Sequence, residues 1–513
     1  MAGCALLLAV GCSDLGETVV VGANAESSSE STDSDPSDPS EPADTGDESQ
    51  PDDSTDPADG SDTDVALSES ACIFFVSASA NPSGDGTSWP DATSDLNGAI
   101  LQGRANLESE VCDAIEVRLT AGTYRPSAQD RSVSFTLYHG LTLRGGYTGN
   151  DTQPDARNLQ TEETILSGDI GLEGDSADNS YHVIIFVNVP TAEAHLDGII
   201  IEAGYADGEG DDQDGAGLRV ETAHIRLTDT RIRSNHALGS GGGMYLLDGQ
   251  VSENRTTWSS NNAEDNGGAI YAENARAYPY DVLFTENEAH RGGALYLQSS
   301  PDWHIQYGVL SLNRATDRGG AIFDSQSIQL RLCRATFQGN EAGVTGGAVF
   351  SNLSTSVQMA SSVWIRNTAP TGASITMLDV GEATLSNLTL TKNTPASDGF
   401  NLAVEGMGTH QIANAILWQN GSEYHPDSPL VIAHSIVPED YEPGETNLGE
   451  DPLFMNPPEN TLGITDLSLR PDSPAIDSGS NDAVAQDFCG NDAANSPRVI
   501  NGLVDRGAYE SGI

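Results

Sequence analysis

The sequence predicts an all-β solenoid, in which short parallel strands wind into coils of one repeated size. Three observations carry that prediction. A bulky apolar residue is followed three positions later by asparagine at Ile232/Asn235, Trp258/Asn261, Phe284/Asn287, Leu310/Asn313, Phe337/Asn340, Trp364/Asn367, Leu390/Asn393 and Leu417/Asn420. Successive asparagines lie 26 or 27 residues apart, the signature of one supersecondary unit stacked on copies of itself. A second marker, Gly-Gly followed by small and apolar residues, keeps the same phase at 242–245 (GGMY), 267–271 (GGAIY), 292–296 (GGALY), 319–323 (GGAIF) and 346–350 (GGAVF).

One unit therefore holds two or three short strands separated by sharp corners. Glycine permits the positive φ that a corner needs. Asparagine tolerates the left-handed region too, and its carboxamide can bond nearby backbone. Coils stacked at the roughly 4.8 Å spacing of paired strands bring the asparagines into vertical register. Asn235, Asn261, Asn287, Asn313, Asn340, Asn367, Asn393 and Asn420 are then expected to form a hydrogen-bonded ladder. Tyr271, Tyr296, Phe323 and Phe350 share another repeat position and are expected to stack inside the solenoid. Trp258 and Trp364 read as core. A leucine-rich repeat would demand several leucines around each asparagine, and the Gly pairs and β-branched runs oppose a helical repeat. An earlier copy of the glycine marker is Gly215-Ala216-Gly217. After Gly347 it decays to Gly372-Ala373 and Gly399-Phe400, so irregular last coils leading into a cap are expected.

Ahead of the repeats, 72–78 (CIFFVSA) and 115–119 (IEVRL) read as strands. Between them, Asp91 to Leu107 reads as a capping helix with Leu96, Ile100 and Leu101 on its apolar side. More short strands are expected within 135–149, 164–171, 181–189 and 196–204. The chain thus divides into a signal-like segment (1–12), an acidic tether (13–71), an N-terminal cap with irregular first coils (72–196), regular repeats (197–450) and a C-terminal cap (451–513).

The net charge is −55, from 77 acidic against 22 basic residues. Nothing of this balance neutralises phosphates, so nucleic acid is excluded as a partner, and charge-driven binding to anionic lipid is disfavoured. Such repulsion keeps copies apart, and a monomer is expected. Residues 13–71 hold 18 acidic side chains and no Lys or Arg. The stretch 26–64 is almost wholly Ser, Thr, Asp, Glu, Pro, Gly and Ala, which cannot offset the entropy of ordering. An extended, self-repelling tether is expected there. No apolar run reaches the roughly 18 residues of a spanning helix. The run Ala5–Val10 followed by Gly11 and Cys12 resembles the end of a bacterial lipoprotein signal, although no Lys or Arg precedes it. That resemblance implies lipid on Cys12, which would be the chain's only hold on a membrane.

Cys72 and Cys112 flank predicted strands and could pair in an oxidising compartment. Cys333, inside a repeat, is expected to be a small buried hydrophobe. No CxxC pair supports a zinc site.

The GGA(I/L/V)…FxxN units resemble the repeats of chlamydial polymorphic membrane proteins and, more widely, bacterial right-handed parallel β-helix proteins. The strings GDGTSW (84–89), AGTYRP (121–126), LRGGYTG (143–149) and ILSGDIG (165–171) are similar to first coils of such proteins, and SPAIDSG (473–479) with 497–511 to their terminal segment. The resemblance covers roughly 72 to 513. It implies a right-handed parallel β-helix displayed on the outer membrane or secreted, with an adhesive, surface-structural or glycan- or protein-binding role. The chlamydial proteins end in a membrane barrel that is not seen before Ile513.

The same fold carries polysaccharide lyases and glycoside hydrolases, so an enzyme is the rival expectation. The GHG, RxK, GxSxG, HExxH and P-loop strings are absent. Lys392, the only lysine, reads as a turn residue, and His224, His236 and His290 as surface or turn residues. No catalytic residue is therefore assigned. In the acidic loop 207–215 (DGEGDDQDG), Asp207, Glu209, Asp211, Asp212 and Asp214 could surround a Ca²⁺, a cation that takes six to eight oxygens; a solvated loop is the plainer expectation.

Overall fold

The computed structural model describes residues 70–512 except 151, 188–192, 397–398, 422–428, 439–445, 458–465 and 485–487. Cys12 and nearly all of the acidic tether lie outside the described residues.

A regular coil is built from four strands, for example Met244–Leu247, Gln250–Asn254, Thr257–Ser259 and Asn262–Ala263. Each pairs in parallel with its equivalent in the next coil: Tyr245 with Tyr271, Val251 with Ala277 and Trp258 with Phe284. Stacking produces a 22-stranded sheet with two strands per coil, a 10-stranded sheet and an 8-stranded sheet. Parallel neighbours joined by a crossover wind right-handed, and the body is a right-handed parallel β-helix. The 10-stranded sheet continues through Ile375–Leu378 and Leu402–Glu405. Decay of the glycine marker therefore does not mark the end of regular coiling.

The two glycines of each pair answer different demands. The first is left-handed, as at Gly267 (φ 65°), Gly292 (62°), Gly319 (67°) and Gly346 (69°). The second faces the next coil's backbone: a Cβ on Gly320 would sit 2.0 Å from the Gly347 carbonyl oxygen. In the run 241–243 the left-handed residue is Gly241, and Gly243 takes the place that alanine fills in later coils. The register read as GGMY is thus displaced by one.

The ladder asparagines do not themselves take the left-handed conformation. The residue before each one does: Ser234, Ser260, Glu286, Leu312, Gly339, Arg366, Lys392 and Gln419, with φ between 53° and 65°. Seven of these carry a Cβ, and a left-handed residue with a Cβ costs about 1–2 kcal/mol. Asparagine is needed at the next position for its side-chain bonds, not for its backbone tolerance.

Strand alternation separates inside from outside. The column Ile232, Trp258, Phe284, Leu310, Phe337, Trp364, Leu390 and Leu417 is fully buried. The aromatic row expected inside lies outside instead. In Ile270–Glu273, Ile270 and Ala272 are buried while Tyr271 and Glu273 face outward. The outward row runs Tyr245, Tyr271, Tyr296, Phe323 and Phe350, with centroid spacings of 5.1, 5.3, 4.7 and 4.9 Å. Arg318 packs over Phe350 at 5.2 Å and helps to bury it.

The helix Leu96–Glu108 closes the N-terminal end against Cys72–Val76 and Ile115–Thr120. Asp95 caps it, its Oδ1 accepting from the Gly98 N–H at 2.9 Å. Leu96, Ala99, Ile100 and Gly103 form the buried stripe at i, i+3, i+4 and i+7. Leu101, expected on that stripe, is 65% exposed, because the residue after Ile100 turns away from it.

Glu253 and Asp324 both place carboxyls in the interior of the solenoid. Glu253 is registered on Leu227 before it and Pro279 after it. Its Oε2 accepts from Trp258 Nε1 at 2.7 Å, and burial pushes its pKa up from 4.5 to about 7. The folded state therefore binds more protons than the unfolded state between those values. Stability is full below pH 4.5 and falls as pH rises to about 7, by about 3 kcal/mol. Glu253→Gln keeps an oxygen for Trp258 and is expected to remove that part of the decline. Denaturant titrations of both proteins at several pH values check this; parallel stability profiles would refute it.

The C-terminal segment turns back along the outer face of the largest sheet. Arg506 Nη1 donates to Ser435 O at 2.8 Å, Ala508 N to Thr389 Oγ1 at 2.9 Å, and Ser361 Oγ to Asn491 O at 2.9 Å. Tyr307 OH reaches Asn495 Oδ1 at 2.6 Å. This return packs Ala475 and Ala508 with the outward side chains Val363, Ile365 and Ile416. Cys333 is buried as expected, but as a half-cystine: it is bonded to Cys489, with Cα atoms 5.7 Å apart. Cys72 and Cys112 form the second disulfide, with a Cα separation of 5.6 Å.

Candidate functional site

The eight asparagines form one continuous column. Asn287 donates through both its backbone N–H (3.1 Å) and Nδ2 (3.0 Å) to Asn313 Oδ1. Asn313 does the same to Asn340 Oδ1, at 3.1 and 3.0 Å. Each Nδ2 also donates back to the preceding coil, as Asn313 does to Phe284 O at 3.0 Å. The pattern runs from Asn235 to Asn420. These side chains are buried and mutually satisfied, so the column holds the solenoid together and has no atom to spare for a ligand.

The acidic loop is divided among separate protein partners. Asp207 pairs with Arg131, whose guanidinium lies 4.3 Å from the Tyr181 ring centroid. Asp211 reaches Arg219 at 3.2 Å, Asp212 reaches His182 Nε2 at 3.4 Å, and Asp214 Oδ1 accepts from Ser240 N at 2.6 Å. Glu209 is exposed at the start of the 3-10 turn Gly210–Gln213, which sends neighbouring carboxylates in different directions. Among the described residues, no group of three or more Asp, Glu, His or Cys side chains is placed to hold a metal.

The outward aromatic row offers less than its length suggests. Interplanar angles of 2–22° mean that the ring faces are spent on one another. Sugars stack on aromatic faces, and here mainly edges remain. Tyr271 OH is committed to Glu273 Oε2 at 2.8 Å.

A concavity opens on the early coils. It measures about 390 Å³, within the range of small-molecule pockets. Its floor lies where strands of the largest sheet turn into the 8-stranded sheet: Ser167 ends Thr164–Ser167, Glu202 ends Ile199–Glu202, and Tyr205 and His236 begin Tyr205–Ala206 and His236–Ala237. Gly174, Ser176 and Asn179 of the loop after Ser167 form the opposite wall, with Asp169 beside them. Gly204 is required at the corner, since a Cβ would come within 2.1 Å of Ala216 O. Tyr205 and His236 stack at 4.9 Å and 13°. Burial lowers the His236 pKa, against the opposing pull of Glu264 and Asp207.

The polar groups of this wall are only partly used. Glu202 Oε2 accepts from Arg233 Nε at 2.7 Å, and Asp169 Oδ1 from Gly174 N at 3.0 Å. Asn179 is 7% exposed, and its Oδ1 has no hydrogen-bond partner. A buried acceptor left unpaired costs about 1–3 kcal/mol. None of these residues stood out in sequence. His236 follows ladder residue Asn235 directly, the one signal that could have placed it on an outer corner.

Fold and site together define a parallel β-helix protein with a polar concavity on its early coils. No family model matches the chain, and no curated protein sequence does. Among solved structures, the chain is similar to the crystal structure of pectate lyase Pel9A, at 13% identity and a TM-score of 0.40, over 87% of this chain and 97% of that one.

Proposed function

We propose that this is a surface or secreted binding protein whose β-helix body holds a carbohydrate in the concavity walled by Asn179, Tyr205 and His236. The polar lining beside the stacked Tyr205 and His236 rings carries the reading. A pocket of hydroxyls, one carboxamide and carboxylates beside an aromatic pair matches the hydrogen-bonding needs of a polyol. Titration calorimetry against an oligosaccharide panel tests it. Glu202→Gln and His236→Ala, which change residues lining the concavity, are expected to weaken the best ligand about tenfold or more. Unchanged affinity in both variants would remove the concavity from consideration.

A second reading, a glycoside hydrolase or polysaccharide lyase, is favoured by Asp169 and Glu202 lining one cavity, because hydrolysis needs two flanking carboxyls. Release of reducing ends that is lost in Glu202→Gln would establish it; binding without turnover would not. In the binding reading, lipid on Cys12 attaches the protein to the outer membrane. Mass spectrometry showing an unmodified native peptide across Cys12 would exclude that anchor.

A further inference from the structure

We infer that the outer face of the largest sheet, between Arg231 and Val309, docks a short basic segment of a partner polypeptide. This surface is separate from the concavity beside Tyr205, and the inference does not depend on the carbohydrate reading.

The chain's own segments cover the same face on both sides of this stretch. Register places Thr257, Leu283 and Val309 in one outward column with Val363, Thr389 and Ile416. Ile200 stands in that column two coils before Thr257. It is 2% exposed and lies near Leu159, while Val363 and Ile416 are 4% and 0% exposed beneath the C-terminal return. Val309 is 39% exposed, and Thr257 and Leu283 are only half-buried. The column is thus sealed at both ends and open between them. A cavity of about 180 Å³ marks the N-terminal end of the gap, with Leu159, Glu163, Asp229, Arg231, Arg255 and Thr257 in its lining.

What covers the sealed coils points to the class of ligand. The bend between the two strands of this sheet holds a left-handed residue in each coil, among them Asp229, Arg255, Asp281, Tyr307, Arg334 and Ser361. The last three bind the C-terminal return: Tyr307 through Asn495 Oδ1, Arg334 through Cys489 O and Ser361 through Asn491 O. Farther along, Thr389 Oγ1 accepts from Ala508 N at 2.9 Å and Asn414 O from Gly507 N at 2.6 Å. Four of these five bonds go to main-chain groups of the return, so the face seats irregular polypeptide largely without regard to side chains. The gap continues the same columns with an acceptor at Asp281, a hydroxyl at Thr257 and apolar contact from Leu283 and Val309. Its three bend positions, Asp229, Arg255 and Asp281, span about 14 Å at roughly 4.8 Å per coil, room for about four extended residues. Arg255 is committed to Asp229 at 2.7 and 2.8 Å, and Arg231 to Glu163 at 2.8 Å. Asp281 is exposed and has no ion-pair partner among the described residues, so a Lys or Arg of the incoming segment complements it.

A phage-displayed library of random heptapeptides, panned on the full chain, is the probe. Sequences pairing an aliphatic with a basic residue are expected to be enriched, and the best synthetic heptapeptide to bind at one site by calorimetry. Thr257→Trp, which fills the gap from an outward position, is expected to weaken it about tenfold or more. Asp281→Asn keeps a residue that tolerates the left-handed bend and is expected to cost about threefold, as an exposed ion pair does. Glu405→Gln, an exposed change on the 10-stranded sheet, is expected to leave affinity unchanged. The net charge of −55 attracts basic peptides everywhere; equal affinity in all three variants and wild type would show only that attraction and overturn the inference. A library without enriched sequences would overturn it as well. Oligosaccharide binding that is lost in Thr257→Trp, with no peptide bound, would make the face a glycan surface and refute the peptide assignment.

Discussion

Replacing Asn287, Asn313 and Asn340 together by alanine is expected to loosen the middle of the solenoid severely. Asn313 alone accepts from Asn287 N and Nδ2 and donates to Phe284 O and Asn340 Oδ1. Alanine at 313 strands these partners in a buried site, and each unsatisfied group costs about 1–3 kcal/mol. Neighbouring rungs share partners, so the three losses need not add. Even so, a total well above about 3 kcal/mol is expected, a large part of the 5–15 kcal/mol typical of domains. The left-handed residues before each rung add to the effect, because the ladder bonds hold their strained backbone in place. Because repeat arrays can unfold in sections, hydrogen exchange of the amides between Asn261 and Asn367 is the measurement of choice, alongside guanidinium titration. Exchange rates matching wild type in that stretch would rule out a stabilising role for the column.

The second large effect is expected from opening the Cys333–Cys489 bond. It closes a sequence separation of 156 residues, against 40 for Cys72–Cys112. In the chain-entropy account, loops of that order stabilise by about 4–5 kcal/mol. The bond also pins the C-terminal return at one end, near Arg334, which donates to Cys489 O. In Cys333→Ala/Cys489→Ala, the segment 473–512 is expected to become protease-sensitive before the coils do. Val363, Ile365 and Ile416 would then be uncovered, and an apolar dye should report their exposure. Non-reducing peptide mapping of native protein provides the first check. Free thiols at both cysteines, or equal protease resistance of the double variant, would contradict this account.

The coils, the glycine corners and the ladder positions were readable because a period of 26 or 27 residues places equivalent side chains above one another. Facing was harder. Ile270 and Tyr271 are both apolar, so composition alone cannot say which of them points inward. The phase was nevertheless present in nearby residues: Tyr271 shares a face with Glu273, and its column includes Arg219, neither of which suits a core. Leu101 failed for a similar reason, since it follows Ile100 directly. The Cys333 partner could not be inferred because nothing local links it to Cys489. The concavity was invisible because its residues come from three successive coils and an intervening loop, none sharing a motif.

The asparagine column also has an electrical direction. Each of the first seven side-chain amides donates to the asparagine of the next coil toward the C-terminus, as from Asn235 to Asn261 and from Asn393 to Asn420. Aligned amide dipoles of one sense do not cancel. Their oxygen end emerges at Asn235, whose Oδ1 accepts from Gly204 N at 2.9 Å. Gly204 forms part of the concavity wall. The column that holds the coils in register is thus also a line of oriented dipoles with its negative pole beside the candidate site. Shortening the column from its far end would alter the field at the site without touching any residue that lines it.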